Sequence, residues 1–208
     1  MAPLTLLQHA GVAARPANWD NAVLVIIDAQ NVYLDGPLPL FGIEAALLEV
    51  GKFLKAARDG GVPAIHIQHL DEPDGGFFAE GSHSAEIISA VAPIGGETVV
   101  AKSFPNAFAG TTLYETLKKI EAETGRNEVI LVGFMTHMCI SATARAAFDL
   151  GIRTTVVANA AATRDLPDPM GGAIAANTVH RTALAEIADL FATVVPDFAA
   201  VAKPPAKV

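Results

Sequence analysis

Three residues stand where an apolar run gives way to a polar segment, and their types are those of nucleophilic acyl chemistry. Asp28 follows AVLVII at 22–27, Lys102 follows TVVA at 98–101, and Cys139 lies just beyond VILVG at 129–133. A carboxylate partly withdrawn from water binds a proton more tightly, which suits it to act as a general base. A thiol in the first turn of a helix, opened here by Thr136 as N-cap, has backbone amides and the positive helix end to lower its pKa. An ammonium nearby keeps both groups charged and steadies negative charge as it develops. Each residue also has a plainer use. An Asp after a strand caps a loop amide, a lone Cys packs as a small apolar side chain, and a Lys sits solvated on the surface. What favours chemistry is that all three fall at strand ends, the place where open α/β sheets bind ligands.

The elements that must position them are readable from periodicity. The run at 22–27, continuous and rich in branched residues, predicts a strand buried on both faces. Helical spacing over 43–58, closed by Gly60-Gly61, leads to a strand at 62–67 and so to a βαβ unit. Further strands are predicted at 98–101, 128–132, 153–158 and 192–195, and helices at 111–123, 136–150 and 178–189. Alternation of this kind gives an α/β fold with three layers. An open, mostly parallel six-stranded sheet carries helices on both faces, a Rossmann-like arrangement. We read 1–208 as one domain with its core at about 20–196, and the Pro- and Lys-containing tail at 203–208 as frayed.

Composition removes other classes of function. With 51% apolar residues in a chain of 208, there is ample material for a core, which excludes general disorder. The 22 acidic against 14 basic residues leave a net charge of −8 without a basic cluster, so nucleic acid is not an expected partner. Apolar runs stop at about eight residues, short of the roughly 20 that cross a bilayer, and we expect neither a membrane partner nor a signal peptide. The single cysteine has no intramolecular disulfide partner and fits a reducing, cytoplasmic compartment.

The chain resembles the isochorismatase-like cysteine hydrolases, a superfamily that includes nicotinamidases, N-carbamoylsarcosine amidases and ureidoacrylate amidohydrolases. The segments that carry the resemblance are VLVIIDAQNVYLDG at 23–36, VVAKSFPNAFAGTTL at 99–113 and VILVGFMTHMCISATARAAFDLGIRTTVVANA at 129–160. It implies a catalytic triad of Asp28, Lys102 and Cys139 that cleaves a carbon-nitrogen bond of a small amide or ureido compound through a thioester. It also implies a cis peptide between Phe134 and Met135, an oxyanion hole from the Met135 and Cys139 amides, and a homo-oligomer, dimer or tetramer. The exposed loop with Phe77 and Phe78 is a candidate interface for that assembly. Isochorismatases proper, which cleave a vinyl ether, lack the cysteine, so its presence favours amide chemistry. The rivals are that vinyl-ether reaction and a ligand-binding or reactive-thiol protein without turnover.

Around the triad, Gln30, Tyr33, Phe41, Phe108 and His137 are the candidate pocket residues, with each Phe also serviceable as core. Nicotinamidases of the superfamily bind a metal through an Asp-x-His pair and a later His. Here the order is reversed, His69-Leu70-Asp71, with His83 following. We therefore expect no metal and no cofactor, and read His66 and His69 as hydrogen-bonded structural residues. Arg145 reads as an ion-pairing helix residue, and Asn159 replaces an Asp common in the family.

Overall fold

A computed structural model describes residues 3–201, so the expected frayed tail lies outside the described residues. In chain order the helices are α1 (Leu6–His9), α2 (Ile43–Gly60), α3 (Leu113–Thr124), α4 (Ser141–Asp149) and α5 (Ala176–Leu190). The strands are β1 (Ala22–Ile27), β2 (Ala64–His69), β3 (Thr98–Lys102), β4 (Glu128–Phe134), β5 (Arg153–Ala162), β6 (Leu166–Pro167), β7 (Ala173–Ile174) and β8 (Thr193–Val195). Six of them form one parallel sheet in the order β3-β2-β1-β4-β5-β8, and β6 with β7 forms a small antiparallel ribbon. The predicted six-stranded α/β sheet is the observed one.

β1 is buried at every position because it lies at the sheet's centre with helices above and below. Its side chains alternate between two cores. Leu24 and Ile26 join Val50, Phe53 and Leu54 of α2, while Val23, Val25 and Ile27 join Leu113, Ile140 and Leu184 on the other face. Burying each such side chain is worth about 1.5–3 kcal/mol, so a one-residue slip, which exchanges the faces, is strongly disfavoured. Register is thereby fixed. Ile27 lies opposite Ile67 of β2 and Gly133 of β4, and His69 lies opposite Lys102.

The structure differs from the sequence reading at several boundaries. β5 runs on to Ala162, four residues beyond its predicted end, because the carboxyl end of β4 pairs with it through Phe134 and Ala162. The helix expected over 136–150 is two pieces, a π-helical turn at Thr136–Ile140 and then α4. α1, closed by a capping box between Thr5 and Gln8, and the β6–β7 ribbon were not expected, since each is too short to show a period.

Gly133 joins the sheet to the π-helical turn. Its φ is +113°, and a Cβ there meets the backbone oxygen and nitrogen of Ile27 on the neighbouring strand. Only glycine permits both the conformation and the approach. Gly133→Ala is therefore expected to cost roughly 3 kcal/mol or more. A variant whose thermal midpoint stays within about 2 °C of the wild type contradicts that close approach.

Candidate active site

Three strand ends and one helical turn converge at the carboxyl edge of the sheet. Asp28 leaves β1 at φ +46°, a left-handed conformation uncommon outside glycine, with its amide donating to Ile67 O at 3.0 Å. The turn carries its fully buried carboxylate to 2.7 Å from Lys102 Nζ. The same ammonium lies 2.9 Å from His69 Nδ1 and 3.4 Å from Cys139 Sγ. An ammonium has three N–H donors, and three acceptors surround this one. His69 Nδ1 must then accept, which places the ring proton on Nε2, 3.5 Å from Asp71 Oδ1.

The electrostatics follow from burial. Asp28 holds its proton more tightly than an ordinary carboxylic acid because it is withdrawn from water, with Lys102 opposing the effect. Cys139 is 4% exposed, and burial, reinforced by the charge of Asp28, pushes the thiol pKa up. This reverses the expectation of a thiol activated by a helix start. Desolvation and a neighbouring carboxylate outweigh the helix end. Thr136 is also not the N-cap. Met135 is, and the Thr136 hydroxyl bonds to Ala162 O and His180 Nδ1. The Phe134–Met135 peptide is cis. Met135 O accepts from the amides of Met138 and Ile140 at 3.1 and 3.2 Å.

The candidate pocket residues divide. Tyr33 is 1% exposed and walls the site, edge-on to Phe134 and Phe78. Burial raises its hydroxyl pKa, with the nearby charges of Asp28 and Cys139 adding to that and Arg164 opposing it. His137 lies at the rim, its Nδ1 2.6 Å from Thr163 Oγ1. Gln30 is not a substrate contact. Its amide donates to His69 O and Ala85 O and accepts from His69 N, so both donors and one acceptor position clamp backbone, and the side chain is fully buried. Phe108 is partly buried against the core that contains Leu113, Leu131 and Cys139. Phe41 is 74% exposed and bridges to Thr163, lining a groove of about 430 Å³ that is separate from the triad. Phe78 is half-buried against His69 and Tyr33, so of the suggested interface pair only Phe77 is exposed.

Sequence reasoning missed two groups. His69 was assigned a structural role but touches the ammonium at the centre of the site. Its pKa is lowered, first by burial and then by Lys102. Arg164, two residues beyond β5, has no carboxylate within ion-pair distance among the described residues. One nitrogen donates to Asp165 O, and Nε is buried without a partner. Its charge reaches inward, opposing protonation of His137, whose pKa burial already lowers. The signal for Arg164 was its place after a strand, which the early predicted end of that strand concealed. By contrast, His66 is bonded to Glu97, and Arg145 pairs with Glu186 and covers Phe191, as their sequence context indicated.

A metal of the Asp-x-His type does not fit these side chains. His83 turns away to Asp35 and Glu86 at the surface. Asp28, His69 and Cys139 do present donors within 4.8 Å of one another, but these face the Lys102 ammonium, which occupies the position a cation would take.

Comparison with known proteins agrees with this geometry. The model of the Isochorismatase domain matches residues 22–196. A secreted isochorismatase effector of Verticillium dahliae is 39% identical over 185 residues, covering 89% of this chain and 93% of that one. A maleamate amidohydrolase of Pseudomonas putida is 32% identical over 166 residues, covering 72% and 73%. The crystal structure of an isochorismatase from Pseudomonas putida superposes with a TM-score of 0.89 at 40% identity, covering 97% of this chain and all of that one. With its own Asp, Lys and Cys gathered at one sheet edge and the domain matched across nearly its whole described length, this chain belongs to the isochorismatase family of hydrolases.

Proposed function

We propose that this protein is a cysteine amidohydrolase that cleaves the carbon-nitrogen bond of a small amide or ureido compound bearing a carboxylate. The observation that carries the reading is the contact of one buried ammonium with both a carboxylate and a thiol. Asp28 Oδ1 and Oδ2 have no hydrogen-bond partner beyond that ion pair among the described residues, which leaves lone pairs for the thiol proton. As Sγ attacks the amide carbonyl carbon, its proton passes to Asp28, and the carbonyl oxygen gains charge before the Met135 and Cys139 amides. Asp28 then protonates the amide nitrogen, the carbon-nitrogen bond breaks, and the amine or ammonia leaves a thioester on Cys139. Water gives its proton to Asp28 and attacks the thioester. The acid departs as that proton returns to sulfur. Lys102 supplies the positive charge at each anionic stage, so no step calls for a metal.

Arg164 supports the carboxylate. Among the described residues it is a cation without an anionic partner, its charge acts on Tyr33 and His137, and a guanidinium matches a carboxylate in two parallel hydrogen bonds. The maleamate amidohydrolase among the relatives is consistent with this class of substrate. We extend the reading to a reducing, cytoplasmic setting, supported by the single thiol, and to a homo-oligomer, supported by exposed apolar side chains such as Leu48 and Phe77. No described helix is long and apolar enough to cross a membrane.

A panel of monoamides of small dicarboxylic acids, N-carbamoyl amino acids and neutral amides, assayed for ammonia, tests the assignment. Cys139→Ala is expected to lower turnover at least about 1,000-fold with the fold intact. Pyruvate released from isochorismate, with the Ala variant unimpaired, identifies vinyl-ether chemistry instead. Arg164→Gln is expected to reduce kcat/KM about 10- to 100-fold for carboxylate-bearing amides and to leave neutral ones nearly unchanged. Equal loss on both removes the carboxylate role.

The ion pair is testable through stability. Lys102→Met alone leaves a buried carboxylate unpaired and is expected to cost about 3 to 5 kcal/mol. Combining it with Asp28→Asn is expected to recover most of that loss in denaturant unfolding, and additive losses contradict the coupling.

A further inference from the structure

Directly after Met135, Thr136 is completely buried, with Oγ1 3.1 Å from Ala162 O and 2.8 Å from His180 Nδ1. A hydroxyl has one proton to give, and a carbonyl only accepts. The Thr136 proton therefore goes to Ala162 O, and His180 Nδ1 must be the donor to Thr136. Burial lowers the pKa of His180, which makes the neutral Nδ1–H tautomer its resting form. Nε2 is then left as an acceptor, and His180 also lines the groove together with Asn159 and Asn177.

This bond closes a gap in the backbone framework. Pairing of β4 with β5 reaches Phe134 and Ala162. Beyond that point side chains take over. Thr136 is tied to Ala162, and His137 to Thr163. α5 contributes His180 from 44 residues away and fixes the Thr136 rotamer from the far side.

We propose that His180 is a positioning residue for the reaction. By donating to Thr136 it holds the turn so that the Met135 amide stays aimed at the substrate oxygen. The proposal rests on the amide-hydrolysis reading, so its test includes a probe that needs no turnover. A small aldehyde such as propionaldehyde adds to Cys139 as a hemithioacetal, whose oxygen sits where the amide oxyanion would form. Iodoacetamide alkylates the same sulfur without forming an oxyanion.

His180→Ala is expected to lower kcat about 10- to 100-fold with KM within about threefold, and to weaken aldehyde binding by a similar factor. The alkylation rate should stay within about twofold. His180→Asn places an amide N–H where Nδ1 was and is expected to restore both losses to within about threefold. Thr136→Val should reproduce the alanine variant, and the double variant should be no worse than either single one. Wild-type aldehyde affinity in His180→Ala overturns the proposal. So does equal loss of alkylation and aldehyde binding, or failure of His180→Asn to improve on alanine. If no amide is hydrolysed, the function is wrong, and the aldehyde-to-alkylation ratio still decides the role of His180. If His180→Ala does not fold, the Asn and Thr136→Ser variants carry the comparison, with both expected near wild type and a loss in both counting against it.

Discussion

A salt bridge closed to water between Asp28 and Lys102 is the constraint around which the site is built. Removing both charges from water costs several kcal/mol for each ion, and attraction offsets this only with good geometry and further hydrogen bonds. The sheet order explains how that geometry arises. Asp28 belongs to the β1 end and Lys102 to β3, with β2 between them, so the two Cα positions are two strand spacings apart, about 9.6 Å in the sheet plane. The long stem of Lys crosses the end of β2 and meets Asp28, which the left-handed turn brings to it. His69 ends β2 opposite Lys102 in register, so its ring lies beneath the crossing and supplies another acceptor. A shorter cation has no reach, and a guanidinium does not concentrate three donors on one nitrogen.

The same pair determines the state of the thiol. Burial alone raises the pKa of Cys139, and the carboxylate adds to that, while Lys102 opposes both. The resting sulfur therefore keeps its proton beside a carboxylate of raised proton affinity. In the proposed reaction, activation is deferred until a carbonyl is in place, when charge moves from sulfur to an oxygen held by amides.

What the sequence revealed and what it hid have a common cause. A run such as AVLVII, buried on both faces, identifies a central strand by itself, and the residue after it is automatically at the ligand edge of a parallel sheet. Asp28, Lys102 and Cys139 were legible on those grounds, and the family resemblance joined them. Strand order across the sheet is not local. His69 could be seen as a strand-terminal histidine but not as a neighbour of Lys102 until β2 was known to lie between β1 and β3. Gln30 and Phe108 fall beside catalytic candidates in sequence, yet loop closure sends one to backbone clamping and the other to the core. Arg164 was hidden by the early predicted end of β5, and the contact of His180 with Thr136 spans 44 residues, for which no period or spacing gives warning.

Division of labour in the family follows from this layout. In the proposed reaction the sheet edge, the ion pair and the turn after β4 move a proton and hold an oxyanion. None of them touches the part of a substrate that distinguishes one amide from another. We assign that task to residues supplied after β5 and by the surrounding loops, where Arg164 has no carboxylate partner among the described residues. In a chain carrying an excess of acidic residues, this half-buried arginine has no carboxylate within ion-pair distance among the described residues, and its charge acts on Tyr33 and His137. In the proposed function a carboxylate-bearing substrate compensates its desolvation. Charge recognition alone does not separate an amide acid from other small acids. In the proposed reaction the nucleophile makes that distinction, because only a substrate whose carbonyl can accept sulfur turns the Cys139–Asp28 proton transfer into bond cleavage.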